Sequence, residues 1–191
     1  MAGTVTTDLV DIDLAEAITN WLTLGTWGAA FVATPDIALQ GTNDLWGRVT
    51  ANFGMGLAAV SSIDFTTGVH LFHFQKNICW PKAAIKSQGG MRLIISSDAT
   101  PTLTGTNPSA GPTNSKSWYM GGSDTDFTTG WVCYVVDPNS TPDLDIPTCV
   151  TTSIKRAGVG AYITGTVGGG SIKPMNINWS AIRYGYGLTV K

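Results

Sequence analysis

This sequence lacks most of the residues that cover exposed helices. Its 191 residues include a single glutamate, Glu16, and charged residues make up only 13% of the chain, about half the usual share. Glu, Lys, Gln and Arg fill the solvent-facing side of most helices. Their scarcity excludes a helix-rich fold, whereas 26 threonines and 23 glycines are typical of a β-rich protein.

The chain also lacks an excess of charge of one sign and a long apolar run. Its formal net charge is −2, so it has no basic face for a phosphate backbone. No stretch approaches the ~20 apolar residues of a membrane span, and MAGTVTTDLV at residues 1–10 has neither the basic start nor the apolar stretch of a signal peptide. We expect a protein made in a cytoplasm that binds neither nucleic acid nor membranes.

Cysteine is scarce as well. The three cysteines are Cys79, Cys133 and Cys149, an odd number without C-x-x-C spacing, so neither a disulfide framework nor a zinc site is indicated. We expect reduced, mostly buried thiols. Cys133 in particular is predicted to be buried, because Val132 and Val135 beside it are apolar.

The residues that are present favour short strands in one domain. From Trp27 onward, runs rich in β-branched and aromatic residues alternate with turn-forming residues, which is typical of strands. The predicted strands are 28–33, 45–51, 69–75, 91–97, 116–120, 130–136, 157–164 and 176–184. The segments at 69–75 and 130–136 are apolar on both faces, which indicates packed layers. We predict an all-β fold, with one antiparallel β-sandwich domain at 21–191.

Three segments depart from this strand pattern. Residues 1–20 are predicted to form an N-terminal arm or at most one short helix, with Asp13 as its cap. The segments 98–116 and 137–149 are predicted to be long loops. The first offers only Leu103 as a large apolar anchor, so we expect neighbouring copies to order it.

Acidic residues are too few for an obvious catalytic site. Glycoside hydrolysis usually needs two carboxylates of different protonation state, and a single glutamate supplies little material for such a pair. His70 and His73 are separated by an odd number of positions on a strand, so they cannot share a metal ion. We predict no enzymatic activity, no catalytic residue and no cofactor.

Two Asp-x-Asp pairs are compatible with a calcium site. Asp124 with Asp126, and Asp143 with Asp145, are spaced so that two carboxylates can lie on one side of a turn, as calcium prefers. Aspartates that simply form turns explain the same spacing.

Several segments resemble a family of virion structural proteins of tailed bacteriophages. They are WYMGGSDTDFTTGWVCYVVDP at 118–138, INWSAIRYGYGLTV at 177–190 and, similar to the family's opening, NWLTLGTWGAAFVATPDIALQGTNDLWGRVTAN at 20–52. The resemblance implies a jelly roll of the concanavalin A or laminin G type and no catalytic residue. The positions that it implies as scaffold are Trp118, Gly121, Gly122, Asp124, Trp131, Arg183, Tyr184 and Gly185. Arg183 is a candidate partner for a carboxylate of the 124–126 turn.

The resemblance implies a non-enzymatic virion component, located on the capsid surface as a decoration or cement protein, or in the tail. Its partners would be other virion proteins and further copies of itself, with a trimer as one arrangement. The alternative is a carbohydrate-binding module or adhesin, in which exposed tryptophans stack on the rings of a host surface glycan. Two or three exposed tryptophans on a concave face favour sugar binding, whereas buried tryptophans favour a structural role.

Overall fold

The structure is a computed structural model that describes residues 5–6, 9–25, 29–34, 43–49, 51–65, 68–79, 91–107, 109–120, 131–166, 175–186 and 189–190. Within these ranges the backbone is largely extended, and the only helical element is a 3₁₀ turn at Thr151–Ser153. No helix in these ranges is long and apolar enough to span a membrane.

The described residues form fourteen strands. They are β1 (Val5–Thr6), β2 (Val10–Asp13), β3 (Trp21–Gly25), β4 (Ala29–Thr34), β5 (Asp44–Val49), β6 (Ala51–Ile63), β7 (Val69–Cys79), β8 (Met91–Ser96), β9 (Ser115–Met120), β10 (Trp131–Val136), β11 (Leu144–Asp145), β12 (Ile154–Thr166), β13 (Met175–Tyr186) and β14 (Thr189–Val190). Sheet 1 has the order β10-β7-β13-β5-β4, and β2 also pairs with β13. Sheet 2 has the order β11-β9-β8-β12-β6-β3, and β1 pairs with β14. All these pairings are antiparallel.

The two six-stranded sheets share one apolar core. Successive residues of a strand point to opposite faces, and Leu93 and Ile95 of β8 belong to the same buried cluster as Leu45 of β5 and Leu71 of β7. Residues of both sheets therefore pack against each other. The predicted all-β antiparallel sandwich is confirmed.

The N-terminal segment is a strand followed by turns. Asp13 does not cap a helix, since its Oδ1 accepts hydrogen bonds from the amide of Ala15 at 2.7 Å and from Nε1 of Trp21 at 3.0 Å. No helical turn occurs at residues 9–20, which agrees with the prediction of at most one short helix and leaves the arm as the alternative for these residues. Asp13 uses its carboxylate instead to tie the turn after β2 to the first residue of β3.

The outer face of sheet 2, which points away from this core, is also buried. Ile94 lies between two core-facing residues of β8, so it points outward, and it packs with Met55, Leu57 and Tyr162 in a second buried cluster. Leu103, from the loop that follows β8, packs against this cluster. The loop at 97–114 therefore covers part of the outer face.

Hydrogen bonds of its own chain hold this loop in place. The amide of Thr104 donates to the carbonyl of Gly111 at 3.0 Å, and the amide of Thr113 donates to the carbonyl of Thr102 at 2.9 Å. Ser96 Oγ on β8 donates to the carbonyl of Thr113 at 2.8 Å. Leu103 is therefore not the only anchor of the loop, whereas ordering of the loop by neighbouring copies stays a prediction. Backbone amides, carbonyls and hydroxyl groups hold the loop where large apolar side chains are few.

The prediction that Cys133 is buried is wrong as well. Cys133 is exposed because β10 is the last strand in the order of sheet 1, and because Cys133 lies on the strand face opposite Tyr134 and Val136, which pack on the core. Cys149 is half-buried, and this burial raises the pKa of its thiol. The side chain of Cys79 lies outside the described residues.

Gly158 allows β12 and β6 to approach each other closely. A Cβ atom on Gly158 would lie 2.0 Å from the carbonyl oxygen of Gly56 and 2.8 Å from Cα of Leu57. These are backbone atoms, so the strands would have to separate. We predict that Gly158→Ala lowers the free energy of unfolding by about 1–3 kcal/mol, as overpacking does, and urea unfolding measures it.

Gly105→Ala is the matched control for that substitution. The nearest atom to a Cβ on Gly105 is Cβ of Ala110, at 3.6 Å, which is an ordinary contact. This variant should unfold within about 0.5 kcal/mol of the wild type, as most surface substitutions do. Equal stability of the two variants would show that β12 and β6 are not packed as described.

Candidate functional site

Arg92 and Tyr119 lie side by side on the outer face of sheet 2. The register of β8 and β9 pairs these two residues. Nη1 of Arg92 donates to the carbonyl of Ala110 at 2.8 Å, and Nη2 donates to the hydroxyl of Tyr119 at 3.4 Å. The guanidinium carbon lies 5.1 Å from the centre of the Tyr119 ring, within the range of a cation–π contact. Arg92 thereby links the sheet, the loop at 97–114 and an aromatic side chain.

Asp143 completes this group of side chains. Its Oδ2 accepts a hydrogen bond from the amide of Tyr119 at 2.8 Å, and its own amide donates to the carbonyl of Ser117 at 2.9 Å. Asp143 is exposed, Tyr119 is half-buried and Arg92 is fully buried. We call Arg92, Tyr119 and Asp143 the Arg92 cluster. It runs from the interior of the outer layer to the solvent.

Charges of both signs meet in the cluster. Burial lowers the pKa of the Arg92 guanidinium, while Tyr119, first, and then Asp143 act to raise it. An arginine nevertheless stays protonated in proteins. The cluster therefore combines a buried cation beside an aromatic ring with an exposed carboxylate at the backbone amide of the same tyrosine.

These groups are suited to recognition. A carboxylate accepts hydrogen bonds from hydroxyl groups, and an aromatic ring offers an apolar surface to the C–H groups of a ligand. In the described part of the chain, no three His, Cys, Asp or Glu side chains come together in a way that could hold a metal ion.

Of the predicted calcium candidates, the structure describes two. Asp143 belongs to the Arg92 cluster, whereas Asp145 lies exposed in β11 opposite Lys116 of β9. Asp124 and Asp126 lie outside the described residues. Calcium binding at these positions stays a prediction.

The scaffold positions implied by the resemblance are divided between the two sheets. Trp118 is in β9 of sheet 2, and Trp131 is in β10 of sheet 1. Arg183, Tyr184 and Gly185 are in β13 of sheet 1. Gly121, Gly122 and Asp124 lie outside the described residues.

The predicted partner of Arg183, the turn at 124–126, also lies outside the described residues. The backbone register instead pairs Arg183 with Asp11 of β2. A carboxylate-bearing residue therefore stands beside Arg183 on the neighbouring strand.

The two tryptophans whose side chains are described both lie in the core. Trp21 is 9% exposed and Trp118 is 6% exposed, so neither offers a stacking surface. The alternation along β9 places Trp118 inward and Tyr119 outward. At this position the tyrosine, and not the tryptophan of the motif, is available to a ligand.

Sequence reasoning missed Arg92 and Tyr119. The signal was a single arginine within the otherwise apolar strand MRLIIS. A charge in a strand that is buried on both faces requires a hydrogen-bonding partner, and that requirement points to a polar contact on the outer face.

Several solved structures with a similar fold are carbohydrate-binding modules. A family 11 module from Clostridium thermocellum, in complex with a β-1,3-1,4-mixed-linked tetrasaccharide, superposes with a TM-score of 0.58 at 12% identity and covers 98% of each chain. The family 11 module of a cellulosomal cellulase from the same organism gives a TM-score of 0.51 at 10% identity, over 98% of this chain and 97% of that one.

A third structure, from a study of β-sandwich carbohydrate-binding modules with promiscuous specificity, has a TM-score of 0.51 at 15% identity. It matches 88% of this chain, which spans 58% of the length of that structure. No family model and no curated protein matches the sequence. The chain has the β-sandwich fold of carbohydrate-binding modules. At these identities the likeness shows the fold alone.

Replacing Arg92 by methionine tests its role in holding the loop. The variant keeps a long side chain but loses the hydrogen bonds to Ala110 and Tyr119, and hydrogen bonds of charged groups contribute about 1.5–3 kcal/mol. We predict a loss of that size in the free energy of unfolding, together with early proteolysis within 97–114. Urea unfolding and limited proteolysis measure the two effects.

Ser109→Ala is the control within the same loop. Ser109 is exposed, and the hydrogen bond described there uses its backbone amide, so the variant should behave as the wild type. If Arg92→Met is as stable and as protease-resistant as Ser109→Ala, Arg92 does not anchor the loop.

Proposed function

We propose that this protein is a non-catalytic carbohydrate-binding module that binds glycans at the exposed end of the Arg92 cluster. The observation that carries the proposal is the exposed carboxylate of Asp143, held 2.8 Å from the amide of Tyr119 beside an aromatic ring. The likeness in fold to a family 11 carbohydrate-binding module, over 98% of each chain, supports it.

Each member of the cluster has a separate task in this proposal. A carboxylate has about four acceptor sites, so Asp143 can accept hydrogen bonds from sugar hydroxyls in addition to the one from Tyr119. The ring of Tyr119 contacts the C–H face of a sugar. Arg92 is a positioning residue, because its contacts with the hydroxyl and the ring of Tyr119 restrict how that ring turns. A side chain ordered before binding loses less conformational entropy when the ligand arrives.

Affinity electrophoresis against soluble β-glucan, xylan and mannan tests the proposal, with calorimetry for any polysaccharide that retards the protein. Tyr119→Ala and Asp143→Asn should each weaken binding about tenfold, which corresponds to ~1.4 kcal/mol. Asp145→Asn removes an equal charge two residues away and should leave binding unchanged. Circular dichroism checks that each variant is folded.

Two results would contradict this proposal. The first is that none of the polysaccharides retards the wild type. The second is that a polysaccharide binds and that Tyr119→Ala and Asp143→Asn bind it as tightly as Asp145→Asn does, since binding would then take place elsewhere on the molecule.

A second candidate function is that of a structural protein in the virion of a tailed phage, made in the bacterial host and located on the capsid or in the tail. The Trp-Tyr-x-Gly-Gly-Ser-Asp-Thr and Ile-Arg-Tyr-Gly motifs favour it, and so does the burial of Trp21 and Trp118 in the core. Mass spectrometry of purified particles tests it directly. The two functions are compatible in one chain, because a fold does not fix a function.

A further inference from the structure

A groove of about 190 Å³ opens between β2 and β6, on the side of β12 opposite the strands of the Arg92 cluster. Its walls are Val10, Asp11 and Ile12 on one strand and Val60, Ser61 and Ile63 on the other. Pockets for drug-sized ligands measure about 300–1,000 Å³. The groove is therefore of a size for one small ring.

A distortion of β6 forms one wall. The register with β12 pairs Ile63 with Ile154 and Ala59 with Arg156, so three residues of β6, Val60–Ser62, lie opposite Lys155 alone. β3 pairs with β6 only at Gly54–Ala58. The peptide groups of Val60–Ser62 therefore lie outside the regular hydrogen-bonded ladders that β6 forms with β12 and β3. Bulges of this kind are frequent beside active sites, where they redirect side chains.

Residues of both charge signs stand around the groove. Asp11 is one of the residues of the wall formed by β2, and the register pairs it with Arg183 of β13. Beside the opposite wall, Nζ of Lys155 lies 3.5 Å from the carbonyl of Ser61 and donates to it. Acidic and basic residues thus stand beside the groove, and Val10 and Ile12 add aliphatic residues to the wall formed by β2. A ligand that fits needs hydroxyl groups that both donate and accept, and a C–H face.

We propose that the groove between β2 and β6 binds one neutral, hydroxyl-rich ring, such as a pyranose or a cyclic polyol. The carboxylate of Asp11 accepts hydrogen bonds from its hydroxyls, and Ser61 supplies a hydroxyl on the opposite wall. This site is separate from the Arg92 cluster, because β12 lies between β6 and the strands β8 and β9 that carry Arg92 and Tyr119.

An NMR titration of the ¹⁵N-labelled protein with D-glucose, D-galactose, D-mannose and myo-inositol tests the proposal. At least one of these probes should cause saturable shifts confined to the amides of residues 10–12 and 60–63. Asp11→Asn should weaken that binding about tenfold, since a hydrogen bond to a charged group contributes about 1.5–3 kcal/mol. Asp64→Asn, which changes an exposed carboxylate just beyond β6, is the matched control and should bind as the wild type.

Ser61→Phe provides a test that removes no charge. Ser61 is exposed, so the larger side chain can fill the groove, and the shifts should disappear while the rest of the spectrum is retained. Saturable shifts that persist in Ser61→Phe would overturn the proposal, and so would the absence of saturable shifts with all four probes. Tyr119→Ala should leave the groove shifts unchanged, so failure here is distinguishable from failure of the proposed function.

Discussion

The outer layer of this protein depends on the buried guanidinium of Arg92. A charge removed from water is costly unless it is hydrogen-bonded, and Nη1 and Nη2 of Arg92 donate to the carbonyl of Ala110 and the hydroxyl of Tyr119. The first contact fixes the loop at 97–114 over sheet 2, so that Leu103 covers the apolar outer cluster. The second restricts the ring of Tyr119, whose backbone amide donates to Asp143. One side chain thereby joins the packing of the loop to the geometry of the candidate site.

The fold class could be predicted because two strands carried an unambiguous pattern. β7 and β10 are apolar on both faces, and a layered β fold covers both faces of a strand. The same pattern failed for Cys133, because an edge strand exposes residues that a central strand would bury. It also missed β6, where Gly54, Gly56 and three alanines give little strand propensity. Long-range pairing with β12 makes that segment extended, and tertiary context of this kind overrides local preference.

The candidate site was harder to predict from the sequence than the fold class. Asp143 stood out through its spacing with Asp145, but its neighbour Tyr119 comes from β9, and only the register of β11 on β9 brings the two together. The loop at 97–114 is anchored through backbone groups and threonine hydroxyls. The pattern of apolar residues in the sequence does not reveal such hydrogen bonds. Hydrogen bonds between distant residues are determined by topology, and topology was predicted only as a class.

Hydrogen exchange of the loop amides tests the central claim most directly, namely that Arg92 and the loop belong to the fold of a single chain. The amides of Thr104, Ala110 and Thr113 donate to carbonyls within the same loop. If the loop belongs to the fold of a single chain, these three amides are protected, and their exchange rates are equal in dilute and concentrated solution. Exchange at the rates of an unfolded chain, or protection that grows with protein concentration, would contradict it.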